Sequence, residues 1–320
     1  MKVKSWAPGK VIVAGEHFVV HGSYAIAAAI DKGINCEVTS SGSNDAEIVS
    51  PKLRLSARLM DKHVPDKLLP VVEAIRSTLS YLNERRARFR LVIEPELPPS
   101  SGLGSSSATA VASVLGVSSF LGYHLAKEEL FELAMVSERI VHGNPSGVDV
   151  AVATHGGIIA FKKGVPPRHI RPRIPVDIVI AYSGIERSTG KMISKVAEVR
   201  ERHNALFDSL VNSASKLIQI AISCLERGDL NTLGSILNFF HATLAWLGVS
   251  QPQVDNLVNK ALAANALGAK VTGGGGGGCI IALPRRGQAG VVEEALRTNG
   301  YQAFTVRLPV RGAEAWRVEI

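Results

Sequence analysis

Four short stretches of this chain hold residues whose types and spacing could do chemistry. In Ala7-Pro8-Gly9-Lys10-Val11-Ile12-Val13-Ala14-Gly15-Glu16-His17, a lysine opens an apolar run, where its charge calls for a partner. A strand-end lysine reaching back to water would give the same pattern. In Pro98-Pro99-Ser100-Ser101-Gly102-Leu103-Gly104-Ser105-Ser106-Ser107, a glycine-rich turn opens into a small-residue helix. Unpaired N–H groups at such a helix start, with the positive end of the helix dipole behind them, make an anion cradle. Serine N-caps after a tight turn are the plainer reading. Ser137 to Asp149 carries Glu138 near a helix end and Asp149 beyond a loop bent by Pro145 and Gly147. Taken singly, these are a solvated glutamate and an N-cap aspartate. The fourth stretch is Lys270-Val271-Thr272 followed by six glycines, Gly273 to Gly278. Strands of only a few residues flank it, so a backbone held open for a ligand fits better than a linker.

Phosphoryl transfer would use all of these: an anion cradle, a divalent metal, a cation near the transferred group and a carboxylate to receive the acceptor's proton. The cradle is not a Walker A loop, since Gly-x-x-x-x-Gly-Lys-Ser/Thr does not occur, and protein-kinase signatures are missing as well.

The elements that must position these groups follow from periodicity and turn residues. Strands are expected at 3–15, 34–49, 88–95, 158–162 and 176–182. Helices are expected at 67–82, from the cradle to 121, at 127–141, over most of 190–247, and at 253–267 and 288–298. Strands at 269–272 and 279–283 bracket the glycines, and strands near 301–307 and 313–319 close the chain. The basic, proline-rich stretch from Lys162 to Pro175 is the expected domain boundary, dividing the chain into 1–165 and 166–320. Irregular mixing of strands and helices predicts an α+β fold rather than a doubly wound sheet.

Composition narrows the function. The 320 residues are 46% hydrophobic and 20% charged, enough for two domains with ordinary cores. No run reaches about 18 apolar residues, and Met1 to Trp6 form no signal core, so no membrane association is expected and the cytoplasm is the expected compartment. The net charge of +8 suits polyanionic small molecules as well as nucleic acid. The basic groups, Arg85 to Arg90 and Arg168 to Arg173, lack interleaved aromatics, which make up only 5% of the chain. A nucleic-acid partner is therefore not expected. Three scattered cysteines match no zinc or redox spacing and are expected to be buried thiols.

Together the glycine-lysine, glycine-serine and poly-glycine stretches resemble, in order and separation, the three motifs of the galactokinase, homoserine kinase, mevalonate kinase and phosphomevalonate kinase (GHMP) superfamily. Gly15-Glu16-His17-Phe18-Val19-Val20-His21-Gly22 and His142-Gly143-Asn144-Pro145-Ser146-Gly147-Val148-Asp149 are similar to the mevalonate kinase versions. The resemblance implies an S5-like N-terminal domain, a ferredoxin-like C-terminal domain and a site in the cleft between them. It implies ATP as co-substrate, Mg²⁺ as cofactor and mevalonate as acceptor, phosphorylated on its C5 oxygen, and it admits a homodimer. Asp149 would be the catalytic base and Lys10 its cationic neighbour. Pro99 to Ser107 would wrap the triphosphate, with Ser106 and Glu138 on the metal. Glu16, His17, Thr189, Gly274 and Gly275 would meet the acceptor. Ser107 and Gly274 stand where many relatives carry alanine. Sister kinases acting on phosphomevalonate or another mevalonate hydroxyl are the neighbouring reading. A non-catalytic nucleotide sensor is the alternative of another class, opposed by the presence of Lys10, Ser106, Glu138 and Asp149.

Overall fold

The structure is a computed structural model, described for all residues except 85–87, 99–100, 144, 187–188 and 320 and the side chain of Thr189. Its first sheet is built on β1 (Lys2–Ala14) and β2 (Ala25–Ser40). It continues through β3 (Glu47–Ser50), β4 (Leu55–Arg58) and β5 (Phe89–Pro95) in the order β1-β2-β5-β3-β4. β6 (Ile158–Lys162) pairs with the start of β2, and β7 (Val165–Ile170) pairs with β6. Four helices accompany this sheet: α1 (Leu69–Tyr81), α2 (Ser105–Phe120), α3 (Lys127–His142) and α4 (Val148–His155).

Small side chains let α2 lie close on the sheet. Ser5 Oγ on β1 donates to the Ala112 carbonyl at 2.7 Å, and a Cβ at Gly116 would come within 2.5 Å of Ser5 Oγ.

The second sheet contains β8 (Val176–Tyr182), β9 (Gly268–Val271), β10 (Cys279–Leu283) and β11 (Gln302–Leu308), all antiparallel, in the order β11-β8-β10-β9. Between β8 and β9 run α5 (Thr189–Arg202), α6 (Asn204–Arg227), α7 (Leu230–Trp246) and α8 (Pro252–Ala263). α9 (Ala289–Thr298) joins β10 to β11. Counted from β8, the sheet order is fourth, first, third, second, the ferredoxin-like arrangement of a split βαβ unit.

Sheet membership moves the crossing between the halves away from the expected 165/166. β7 belongs to the first sheet, and so does β12 (Glu314–Val318), which pairs with β1 from Lys2↔Val318 to Trp6↔Glu314. The chain crosses after Ile170 and returns after Leu308. Of the prolines that made 162–175 read as a domain boundary, Pro166 and Pro167 lie on the edge strand β7, where a missing N–H costs no ladder bond, and Pro172 and Pro175 follow it. A large buried cluster runs through both halves, and Phe18 is one of its anchors, with ring centroids 6.3 Å from Phe207 on α6 and from Phe240 on α7. The three cysteines are buried thiols, as expected. No described helix is long and apolar enough to cross a membrane.

Candidate active site

The site grows from an interrupted edge of β1. Beyond Trp6 the pairing with β12 ends, leaving that edge of residues 7–14 without a strand neighbour among the described residues. Pro8 and Gly9 coincide with a register shift against β2, a place where a strand tolerates proline. Two alternate N–H groups on this edge then find other acceptors. Lys10 N donates to the Leu103 carbonyl at 2.8 Å, and Ile12 N donates to Thr272 Oγ1 at 2.8 Å. One strand edge thus holds the glycine-serine turn on one side and the start of the glycine run on the other.

The first of these contacts requires close approach. A Cβ at Gly9 would sit 2.8 Å from Leu103 O, and one at Gly104 would sit 2.9 Å from Lys10 Cγ. Gly104, with φ 77°, caps α2 in the left-handed region that glycine enters without strain. Ser105 and Ser106 open the helix with Ser106 exposed, while Ser107 is buried. Ser101 Oγ donates to the Pro98 carbonyl at 2.8 Å and Gly102 takes φ 86°, fixing the turn. Pro99 and Ser100 lie outside the described residues.

Lys10 Nζ reaches Asp149 Oδ1 at 3.1 Å, with the lysine side chain almost fully buried and the aspartate 24% exposed. Asp149 therefore remains reachable while its charge is neutralised from within. Asp149 stands in the first turn of α4, a helix absent from the expected elements, capped by Gly147 at φ 88°, where the helix dipole favours a carboxylate.

Glu138, buried on α3, accepts from Ser107 Oγ at 2.6 Å, and its other oxygen lies 3.9 Å from His142 Nε2. Of the three consecutive serines, the phase of α2 gives Ser107 rather than Ser106 to Glu138. A carboxylate beside serine hydroxyls is an all-oxygen donor set, suited to a hard cation that completes its shell with phosphate and water. No cluster of three or more acidic, histidine or cysteine ligands occurs among the described residues.

Glu16 and His17 sit where β1 meets the second domain. Lys270 Nζ donates to the Glu16 carboxylate and to the Val271 carbonyl at 2.6 Å, and Thr272 Oγ1 donates to Ile12 O at 3.1 Å. Burial pushes the Glu16 carboxyl up and the Lys270 ammonium down, each opposed by the charge of the other. Glu16 Oε2 is buried and has no hydrogen-bond partner among the described residues. Sequence reasoning gave Lys270 no role, although a lysine inside an apolar strand is the signal already noticed at Lys10.

His17 Nε2 lies 3.1 Å from the Gly274 carbonyl. Burial first, then the charges of His21 and Lys270, push its pKa down to about 4 against the carbonyl's opposing pull. A neutral ring in contact with a carbonyl must carry its proton on Nε2, which leaves Nδ1 as an acceptor. The glycine run is anchored rather than loose. Gly276 N donates to Val249 O at 2.8 Å, Gly278 N donates to Ile185 O at 2.8 Å, and a Cβ at Gly275 would meet Val249 O at 2.3 Å. Thr189 begins α5, but its side chain lies outside the described residues. A cavity of about 540 Å³ opens beside His17, between Val20 and His21 on one side and Ile193, Val196 and Arg200 of α5 on the other.

Comparisons with known proteins agree with this geometry. A family model described as GHMP kinases N terminal domain matches residues 69–157, and one described as GHMP kinases C terminal matches 221–302. The mevalonate kinase of Aeropyrum pernix is 37% identical over 311 residues, covering 96% of each chain. The crystal structure of L. major mevalonate kinase in complex with R-mevalonate superposes with a TM-score of 0.81 at 27% identity, covering 97% of each chain. That of Methanococcus jannaschii mevalonate kinase gives 0.84 at 26% identity, over 97% of this chain and 98% of that one. With a shared edge of β1 binding the glycine-serine turn to the glycine run, and with relatives matched along nearly the whole chain, this protein belongs to the GHMP kinases, in their mevalonate kinase family.

Proposed function

We propose that the protein transfers the γ-phosphoryl group of ATP to the C5 hydroxyl of mevalonate, giving 5-phosphomevalonate and ADP. The observation that carries this reading is the 3.1 Å Lys10–Asp149 pair, held against the glycine-serine turn by the Lys10–Leu103 backbone bond. Asp149 receives the hydroxyl proton as the C5 oxygen bonds to the γ-phosphorus and the bond from that phosphorus to the β,γ-bridging oxygen breaks. Lys10 holds the carboxylate in place and offsets charge on the transferred group. The backbone from Gly102 to Ser107, with Pro99 to Ser101 before it, wraps the triphosphate at the start of α2.

Glu138 and Ser106 would hold Mg²⁺, with Ser107 orienting the Glu138 carboxylate. Magnesium, when bound, neutralises charge on the β- and γ-phosphates. His17, through the free lone pair of Nδ1, and Glu16, through its unpartnered oxygen, would meet the acceptor's polar groups. Gly274, Gly275 and Thr189 would close round it, with the cavity beside His17 as the approach. The work is soluble and cytoplasmic in this reading, and a homodimer is compatible with it.

Asp149→Asn tests the assignment, because it preserves shape and removes the proton acceptor. Turnover should fall about 10²- to 10⁴-fold with nucleotide affinity nearly unchanged. Near-normal turnover would remove Asp149 from the reaction.

A further inference from the structure

His17 stands in a backbone conformation that residues with a side chain avoid. Its φ is 61° and its ψ is −40°, and Phe18 N donates to the Glu16 carbonyl at 2.7 Å across it. A bond between residues two apart, closed over a central residue of positive φ, is the rare and strained form of the γ-turn. Among the described residues no other histidine has a positive φ. Such strain persists only where surrounding contacts hold it, and it gathers at ligand-binding positions.

The outside contacts on this turn come from one short segment of the other half. The Gly274 carbonyl meets the His17 ring at 3.1 Å, and Lys270 Nζ, on β9, donates to the Glu16 carboxylate. Between them Thr272 Oγ1 accepts from Ile12 N at 2.8 Å. Residues 270, 272 and 274 thus grip β1 and the turn after it at alternate positions. Of the three, only Lys270 brings a charge.

That charge is costly where it sits. The side chains of Lys270 and Glu16 are both buried, the lysine completely. The three donors of the ammonium face three acceptors: the Glu16 carboxylate, the Val271 carbonyl at 2.6 Å and the Ile12 carbonyl at 3.5 Å. Desolvating such a pair is so unfavourable that an apolar pair of similar volume is often equally stable or more so. Packing alone therefore does not account for a lysine here. What the ammonium adds is direction: it draws the Glu16 carboxylate toward β9 and fixes the residue from which the γ-turn opens.

We propose that Lys270 is a positioning residue for acceptor binding, holding His17 through Glu16 in the γ-turn that presents its ring, an assignment that rests on the proposed placing of His17 against mevalonate. Being fully buried, Lys270 itself touches neither substrate. Its effect passes through the backbone of residues 16–18, and nucleotide binding at the start of α2 lies outside that effect.

The one-bond Cα–Hα coupling of a residue reports the sign of its φ, so histidine labelled with ¹³C at Cα reads the turn directly. The His17 signal is assigned by its absence in His17→Asn, and in the wild type it should stand apart from the other histidines. In Lys270→Met it should move into their range, with the mevalonate KM raised about tenfold and the Mg·ATP KM within about twofold of wild type. Lys270→Met leaves a buried carboxylate without its partner, so Lys270→Met/Glu16→Leu supplies an apolar pair should the single variant fail to fold. Its His17 coupling should move in the same way, and the thermal transition of each variant is checked. A His17 coupling that stays in place in the folded variants would overturn the proposal. So would a moved coupling with an unchanged mevalonate KM in Lys270→Met. Because the coupling is read on the protein without substrates, its result is separate from the proposed function, which fails if the wild type turns over no mevalonate.

Discussion

Lys10 illustrates how one residue serves two ends of the molecule: its backbone N–H fixes the Leu103 turn while its ammonium fixes Asp149. Glu138 is held in a comparable way, by Ser107, the neighbour of the serine expected on the metal. Three serines in a row look alike in a sequence. Each helical step turns about 100°, and only the phase of α2 decides which one faces α3. The prediction at this scale separates orientation from ligation. Ser107→Ala removes a 2.6 Å bond to a buried carboxylate. It should raise the Mg²⁺ requirement for nucleotide binding roughly three- to tenfold, in line with about 0.5–1.5 kcal/mol for such a bond. Glu138→Gln should cost more. Mg²⁺ titration followed by nucleotide fluorescence reads both without turnover, and an unchanged requirement in Ser107→Ala would make that bond purely structural.

Most elements were legible because their residues punctuate them. The glycine and serine clusters marked the start of α2, and β6 and β8 have the limits expected from their Val and Ile content. The misses share physical causes. The first part of β2, Ala25-Ile26-Ala27-Ala28-Ala29, went unseen because alanine carries little strand signal, although that strand is central to the sheet. The β3–β4 hairpin was half absorbed into the strand expected at 34–49. α4 hid behind the turn residues that cap it. Sequence spacing also gave no hint that Thr272 would fasten β9 to the edge of β1, since the contact joins distant segments. Thr272→Val keeps the shape and deletes a hydroxyl that both accepts from Ile12 N and donates to Ile12 O. A loss of about 1–3 kcal/mol in denaturant-unfolding free energy is expected. If stability is unchanged, the two halves are not fastened there.

At the scale of the whole molecule, a buried neutral histidine between the halves makes the fold sensitive to acid. His17 titrates near 4 in the folded protein against an ordinary value of 6.5. Between those values the unfolded chain takes up a proton that the folded chain refuses. The contribution is therefore present above about pH 6.5 and lost as pH falls toward 4, amounting to at most about 3 kcal/mol. Glu16, with its carboxyl pushed up by burial, works in the opposite sense. The difference between wild type and His17→Asn isolates the histidine. His17→Asn should flatten the fall of thermal stability between pH 6.5 and 4, and parallel curves for the two proteins would contradict the burial argument.

Acceptor identity is the central claim, and its support is a cavity edge of His17, Val20 and His21, with Glu16 buried beside them and Arg200 facing them. Such a set favours a hydroxyl-bearing carbon chain over an acceptor that already carries a phosphate, which would draw on several lysines or arginines. The most direct measurement is a coupled ADP-release assay across mevalonate, 5-phosphomevalonate, homoserine and galactose, with the product's phosphorus–proton coupling recorded. Mevalonate should give the highest kcat/KM by at least two orders of magnitude, with phosphate on the C5 oxygen. Preference for 5-phosphomevalonate, or phosphate on the C3 oxygen, would contradict the account while leaving the family assignment intact.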